Sequence, residues 1–213
     1  MSLPDPPLLV ITDRRMADRP LADVVEAALS GGCRWILLRE PDLDTAALTR
    51  IGRDIAALCA RHGARLSVSA DLDAAAACGA TGLHLPQRSA HSEGVAAARD
   101  RLGRQALIGI SAHSAEEISA AEELGADYVT MSPVFLTESK PGYGPALGVD
   151  GLRAHVGSHA IPIVGLGGLS QDRIAPVRRS GAAGAAVMGD VMRASAPAAA
   201  VRRLLTAWRD ADP

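Results

Sequence analysis

The sequence is poor in aromatic residues, and this scarcity limits both its core and its partners. Its 213 residues include two tryptophans, two tyrosines and one phenylalanine. The core must therefore be built mainly from Ala, Val, Leu and Ile. A surface that binds nucleic acid by stacking bases on aromatic rings is not expected.

The sequence also lacks a large net charge and a pattern of paired cysteines. The formal net charge is −2, with both signs interspersed, so we expect no binding to nucleic acid or to an anionic membrane. Cys33, Cys59 and Cys78 lie far apart among apolar residues and lack the spacing of zinc ligands. No apolar stretch is long enough for a bilayer, and no signal-peptide pattern is visible. We expect buried thiols in a cytoplasmic protein.

What the sequence does contain is an alternation of strand and helix patterns from end to end. The predicted strands cover residues 8–13, 35–40, 65–70, 82–86, 106–113, 128–134, 161–165 and 184–188. The predicted helices cover residues 21–30, 45–61, 72–78, 93–102, 115–124, 151–156, 171–179 and 196–209.

Glycines before the strands indicate one unit that repeats. Glycine near a helix end favours the left-handed C-cap conformation, and it recurs at Gly32, Gly63, Gly79, Gly125 and Gly181. The segments 35–38 and 128–131 are apolar on both faces, as buried parallel strands are. The pattern predicts an α/β fold, a single-domain (β/α)8 TIM barrel over residues 1–213. The alternative is a doubly wound open sheet, but residues 11–15 lack its glycine fingerprint.

Two glycine-rich segments near the C-terminus, residues 161–169 and 184–190, predict a phosphate site. Each is a short apolar strand that ends in glycine before a helix. Backbone N–H groups at such turns can approach an anion closely, and the loops after strands 7 and 8 bind phosphate in many barrels of this type. We predict small phosphorylated substrates, with phosphate bound at Gly167, Gly168, Met188 and Gly189.

Polar residues at the predicted strand ends would face the active site of such a barrel. Arg39 follows four apolar residues, where a guanidinium can bind an anion through two hydrogen bonds. The alternative is an ion pair with Glu40 or Asp13. Lys140, in the long polar connection 135–147, either contacts a second anion or is a solvated surface residue.

The histidines near strand ends have two interpretations. Ser114 and Glu117 fit a capping box, so helix initiation explains part of the segment that contains Ser111 and His113. His113 is either an acid–base group or a hydrogen-bonded scaffold residue, and we favour the scaffold. The same interpretation is favoured for His84, which lies between two leucines.

Several segments, taken in order, resemble the thiamine phosphate synthase and thiazole tautomerase family over nearly the whole chain. They are residues 37–40, 82–87, 108–114, 125–129, 132–140 and the two glycine segments. The synthase branch joins a pyrimidine diphosphate to a thiazole phosphate and releases pyrophosphate. The resemblance implies that the glycine segments hold the thiazole phosphate. The candidate catalytic residues are Arg39, Ser111, His113 and Lys140, and the candidate substrate-binding residues are Ser69, Arg88, Thr137 and Ser139.

The chain departs from the family pattern where magnesium would bind. The two acids that the resemblance implies as ligands are replaced by Ala70 and Ser89, and Asp71 is one residue out of place. A family lysine is replaced by Pro41. Mg²⁺ normally neutralises a leaving pyrophosphate. We therefore expect no tightly bound metal or cofactor, with Mg²⁺ possible only together with the diphosphate substrate, and Arg88 as a partial substitute.

The tautomerase branch also lacks those acids, and its Leu-Pro resembles Leu85 and Pro86. Its catalytic histidine, however, corresponds to Pro133 here. Three functions stay open from the sequence: a divergent synthase, a tautomerase-like isomerase, and a non-catalytic binder of thiazole phosphate or thiamine phosphate. A homodimer is compatible with each of them.

Overall fold

Strands and helices alternate through the part of the chain that the computed structural model describes, residues 2–136 and 145–211. The strands are β1 Leu8–Ile11, β2 Trp35–Leu38, β3 Arg65–Ser69, β4 Gly82–Leu85, β5 Leu107–Ala112, β6 Tyr128–Met131, β7 Ile163–Leu166 and β8 Gly184–Val187. The helices are α1 Leu21–Ser30, α2 Thr45–Arg61, α3 Leu72–Cys78, α4 Ser92–Leu102, α5 Ala115–Glu123, α6 Gly148–Ser158, α7 Gln171–Arg179, α8 Gly189–Met192 and α9 Pro197–Arg209.

The eight strands form a closed parallel barrel in chain order. Closure comes from pairing of β1 with β8, where Leu9 lies opposite Ala186. The predicted TIM barrel is therefore confirmed, and the doubly wound open sheet is wrong because that sheet has two free edges.

Successive strand residues alternate between the barrel interior and the helical layer. Leu8 and Val10 pack in the large apolar cluster that includes residues from the helices. Leu9 and Ile11 instead join a small cluster of strand residues with Trp35 and others. This period of two follows from the pleat of a strand. It places polar residues at the C-terminal strand ends in the mouth of the barrel.

The helix ends show how closely the sequence pattern predicts local structure. The left-handed glycines expected after five helices all have positive φ, at Gly32, Gly63, Gly79, Gly125 and Gly181. Helix α6 begins at Gly148 rather than at the predicted residue 151, and its N-cap side chain accepts no hydrogen bond. Its start therefore has no capping signal in the sequence. The short helices Arg14–Met16, Gln87–Ser89 and α8 were not predicted either, because three or four residues show no helical period.

The three cysteines are buried free thiols, as predicted. Burial raises the pKa of Cys33 to about 11 and that of Cys59 to about 12, so both stay protonated at neutral pH.

Within residues 2–136 and 145–211, no helix has the length and apolar character that crossing a bilayer requires.

Candidate active site

Because all eight strands are parallel, their C-terminal ends lie at one mouth of the barrel. Arg39 follows β2 directly, Ser69 is the last residue of β3, and Ser111 is the second-last residue of β5. The two glycine loops follow β7 and β8 at the same mouth. The predicted site residues Thr137, Ser139 and Lys140 lie outside the described residues.

The Arg39 guanidinium is left free of the two carboxylates that could have paired with it. Glu40 is buried and bonds Arg14 instead, with 3.1 Å between Arg14 Nη1 and Glu40 Oε2. Asp13 pairs with Arg15 at 3.5 Å. Among the described residues, no side-chain partner of Arg39 is found. The guanidinium is therefore available to an anion at the mouth.

His84 is a buried, neutral histidine inside the barrel. Its Nε2 lies 3.0 Å from Ser111 Oγ, and its Nδ1 lies 3.0 Å from the Tyr128 hydroxyl. Burial, with a smaller contribution from the Arg39 charge, lowers the pKa of His84 to about 4. An imidazole that stays neutral and has both nitrogens hydrogen-bonded fits the favoured scaffold interpretation.

His113 is also held by its own helix. Ser114 caps α5 by accepting from the Glu117 N–H at 3.3 Å. The predicted return bond from Glu117 to Ser114 is wrong: the carboxylate accepts from the His113 N–H at 2.7 Å, one residue earlier. The same carboxylate lies 3.0 Å from His113 Nδ1. This double contact favours the scaffold interpretation of His113.

The loop after β7 has a backbone that requires glycine. Gly167 and Gly168 have φ of 106° and 62°, in the left-handed region that other residues rarely adopt. A Cβ on Gly168 would lie 2.5 Å from the Leu136 carbonyl oxygen. After β8, the short helix α8 starts at Gly189. Loops after strands 7 and 8 next to a short extra helix are the usual phosphate-binding arrangement of this barrel.

Three arginines that the sequence analysis did not single out surround this pair of loops. They line a cavity of about 720 Å³ that also borders Gly168 and Gly189. They are Arg173, Arg193 and Arg203. The Arg193 guanidinium covers Gly189 so closely that a Cβ there would lie 2.5 Å from it. A basic residue a few positions after each glycine loop is the sequence signal that could have identified Arg173 and Arg193.

The positions where the family pattern places magnesium ligands carry few acidic side chains in the described residues. Ala70 and Ser89 offer no carboxylate, and the described residues contain no group of three or more His, Cys, Asp or Glu placed to hold a metal. The Asp71 carboxylate is already used: it accepts from the Ala74 N–H at 2.8 Å and from the Thr45 hydroxyl at 2.7 Å. It caps α3 and does not replace the missing acids.

Arg88 is exposed on the short helix Gln87–Ser89, which follows β4. Its placement keeps a cation on the rim near Ser89, where the family acid is absent. A guanidinium at this position favours anions over metal ions.

Comparison with known proteins agrees with the barrel fold. A model of the thiamine monophosphate synthase family matches residues 8–191. The thiamine-phosphate synthase of Moorella thermoacetica is 40% identical over 196 residues, which cover 92% of each chain. The thiamine biosynthesis bifunctional protein ThiM/ThiE of Symbiobacterium thermophilum is 43% identical over 89% of this chain, which spans only 39% of that longer protein.

A solved structure supports the same family assignment. Thiamine phosphate pyrophosphorylase from Pyrococcus furiosus superposes with a TM-score of 0.85 and 32% identity, over 97% of this chain and 96% of that one. None of these relatives is named for a tautomerase or for a binding protein. The chain belongs to the thiamine monophosphate synthase family and is a transferase of thiamine biosynthesis.

Proposed function

We propose that this enzyme joins a thiazole phosphate to a pyrimidine diphosphate with side-chain cations, rather than a protein-bound metal, stabilising the departing pyrophosphate. The observation that carries the proposal is the Arg39 guanidinium, which has no side-chain partner among residues 2–136 and 145–211 and lies at the mouth that also bears the two glycine loops. An anion-binding group at each side of one mouth suits a pair of phosphorylated substrates.

The thiazole phosphate would lie against the loops after β7 and β8. Backbone N–H groups of Gly167, Gly168, Met188 and Gly189 would bind its oxygens. Arg193, whose guanidinium lies over Gly189, would supply positive charge beside them.

The diphosphate would lie on the opposite side, over β2 to β5. When the bond between pyrimidine and diphosphate breaks, negative charge develops on pyrophosphate and must be stabilised by groups already in place. Arg39 and Ser111 border this region, and Arg88 and Lys140 are the further cations that we propose there. Ser69 would contact the pyrimidine side.

We expect the reaction to be slow. Loss of a single contact that stabilises a developing anion commonly reduces the rate about a hundredfold or more. This chain lacks two acids and a lysine of the family pattern, at Ala70, Ser89 and Pro41.

The test is formation of thiamine phosphate from the two substrates in the presence of a metal chelator. We expect slow but measurable product, and a further loss of about a hundredfold or more for Arg39→Gln. The matched control is Arg153→Gln, since Arg153 is exposed on α6 and pairs only with Asp150 among its described neighbours. Absence of product, or an Arg39→Gln rate equal to that of the control, would contradict the proposal.

A further inference from the structure

A line of hydrogen bonds runs through the barrel interior and ends at the mouth. Trp35 Nε1 donates to Ser67 Oγ at 3.3 Å, and the Trp35 ring packs edge-on against the Tyr128 ring. Tyr128 Oη is 3.0 Å from His84 Nδ1, and His84 Nε2 is 3.0 Å from Ser111 Oγ. Every member except Ser111 is buried.

The single partner of the Tyr128 hydroxyl sets the direction of this line. An indole N–H can only donate, so the Ser67 oxygen accepts from Trp35. Among the hydrogen bonds of the described residues, the buried Tyr128 hydroxyl has one partner, His84 Nδ1 at 3.0 Å. If Nδ1 donated to the phenol instead, the Tyr128 proton would have no acceptor in the hydrogen bonds of the described residues. A buried donor without a partner is costly.

With the Tyr128 phenol donating, the remaining roles follow in order. The Tyr128 phenol donates to His84 Nδ1, so the proton of the neutral imidazole lies on Nε2. Nε2–H then donates to Ser111 Oγ at 3.0 Å, with Thr130 Oγ1 as a longer second acceptor at 3.4 Å. Ser111 Oγ accepts this proton from the barrel interior. Its own hydroxyl proton can therefore be donated to a partner at the mouth.

Packing prevents the phenol from moving out of this line. The Tyr128 ring lies over Gly109, where a Cβ would come within 2.1 Å of the ring. The Trp35 ring also meets it edge-on, with centroids 4.8 Å apart. The hydrogen bond to His84 is therefore fixed by the shape of the core as well as by its chemistry.

We propose that this line holds His84 as its Nε2–H tautomer and thereby makes the Ser111 hydroxyl a dedicated donor to an anionic oxygen of the bound diphosphate. Tyr128 and His84 are positioning residues, since they act through Ser111. That the anion is the diphosphate rests on the proposed function. The orientation of Ser111 favours a ligand that offers acceptors, such as a diphosphate, over one that offers a hydroxyl or amine proton.

The tautomer can be observed directly in the unaltered protein. In a sample with ¹⁵N-labelled histidine, two-bond and three-bond couplings to ring protons distinguish a protonated Nε2 from a protonated Nδ1. We expect His84 to be protonated at Nε2 and bare at Nδ1 at pH 7. A proton on Nδ1 would overturn the proposal.

A double-mutant cycle with inorganic pyrophosphate as probe tests the consequence. We expect Ser111→Ala to weaken pyrophosphate binding, measured by calorimetry, by about tenfold, as for a hydrogen bond to a charged group. Tyr128→Phe should weaken it by a smaller factor, and should have no further effect when Ser111→Ala is already present. Equal effects of Tyr128→Phe in both backgrounds would overturn the proposal.

A matched serine control is Ser158→Ala on α6, where Ser158 Oγ bonds only the Ala154 carbonyl among described residues and is exposed. It should leave pyrophosphate affinity unchanged. Failure of the proposed function would look different: the unaltered protein would form no thiamine phosphate, while the tautomer and the pyrophosphate cycle would stay as expected.

Discussion

His84 couples the stability of the barrel to pH. Burial lowers its pKa to about 4 in the folded protein, against 6.5 for the unshifted group. Between these values the unfolded chain binds a proton that the folded chain does not, so the free energy of unfolding falls as the pH is lowered. The slope from this one group approaches about 1.4 kcal/mol per pH unit.

The measurement is urea unfolding at pH 7, 6 and 5 for the unaltered protein and for His84→Asn. We expect the unaltered protein to lose more stability than the variant over this range. A ring titration by NMR gives a second readout that needs no variant. A His84 ring that titrates near 6.5 would contradict the account.

Ala70 occupies a backbone conformation that suits another residue. Its φ is 66°, and among non-glycine residues Asn and Asp tolerate this region best. The backbone has therefore kept a conformation favourable to the aspartate that the family pattern places here. We expect Ala70→Gly to raise the free energy of unfolding by up to about 1 kcal/mol.

Ala57, exposed in the middle of α2, is the matched control. Ala57→Gly should lower stability by about 1 kcal/mol, since glycine is unfavourable inside a helix. Thermal or urea unfolding of the two variants should therefore move in opposite directions. If Ala70→Gly destabilises as Ala57→Gly does, position 70 is not strained.

At the scale of elements, the positive charge beside the glycine loop after β8 comes from Arg193, which follows α8. Arg193 covers Gly189, and its Nη1 lies 3.5 Å from the sulfur of Met16, a weak acceptor. We expect Arg193→Ala to weaken binding of thiazole phosphate about tenfold or more, as for a lost hydrogen bond to a charged group.

Calorimetry with thiazole phosphate measures this effect, with Arg153→Ala as the control. Gly168→Val is a less specific probe of the same site. A side chain at Gly168 would press on the Leu136 carbonyl, so the loop itself would have to move. An Arg193→Ala affinity equal to that of the control would place the phosphate elsewhere.

The elements that the sequence predicted well are those that carry their own local signal. A strand such as β2 is a run of apolar residues, and α3 ends at Gly79, whose φ of 75° is the left-handed cap expected there. The start of α6 and the helix α8 carry no such signal. Their form depends on the loops and strands packed around them, which one segment of sequence does not reveal.

The same distinction applies to the candidate site. Residues at strand ends, such as Arg39 and Ser111, could be placed at one mouth because parallel strands end together. Arg193 comes from beyond a strand end, and its contact with Gly189 depends on how α8 turns the chain back. The hydrogen bond from Tyr128 to His84 joins two strands, so only the closed barrel shows it.

At the scale of the whole molecule, a complete barrel is combined with an altered set of charges at its mouth. The fold and glycine loops of the family are present, while Ala70 and Ser89 offer no carboxylate and Asp71 caps a helix. Arg39, Arg88 and Arg193 lie around the same mouth; within the described region Glu40 and Asp13 pair with arginines other than Arg39, and Arg193 lies near the Asp190 carboxylate. The central claim is that these cations, without a protein-bound metal, stabilise the departing pyrophosphate.

The most direct test is the rate of thiamine phosphate formation with a chelator and with excess magnesium, for the unaltered protein and for the triple variant Ser69→Asn, Ala70→Asp, Ser89→Asp. The account predicts a slow rate for the unaltered protein that magnesium barely changes, and a faster, magnesium-dependent rate for the triple variant. Strong activation of the unaltered protein by magnesium, as large as that of the triple variant, would contradict it.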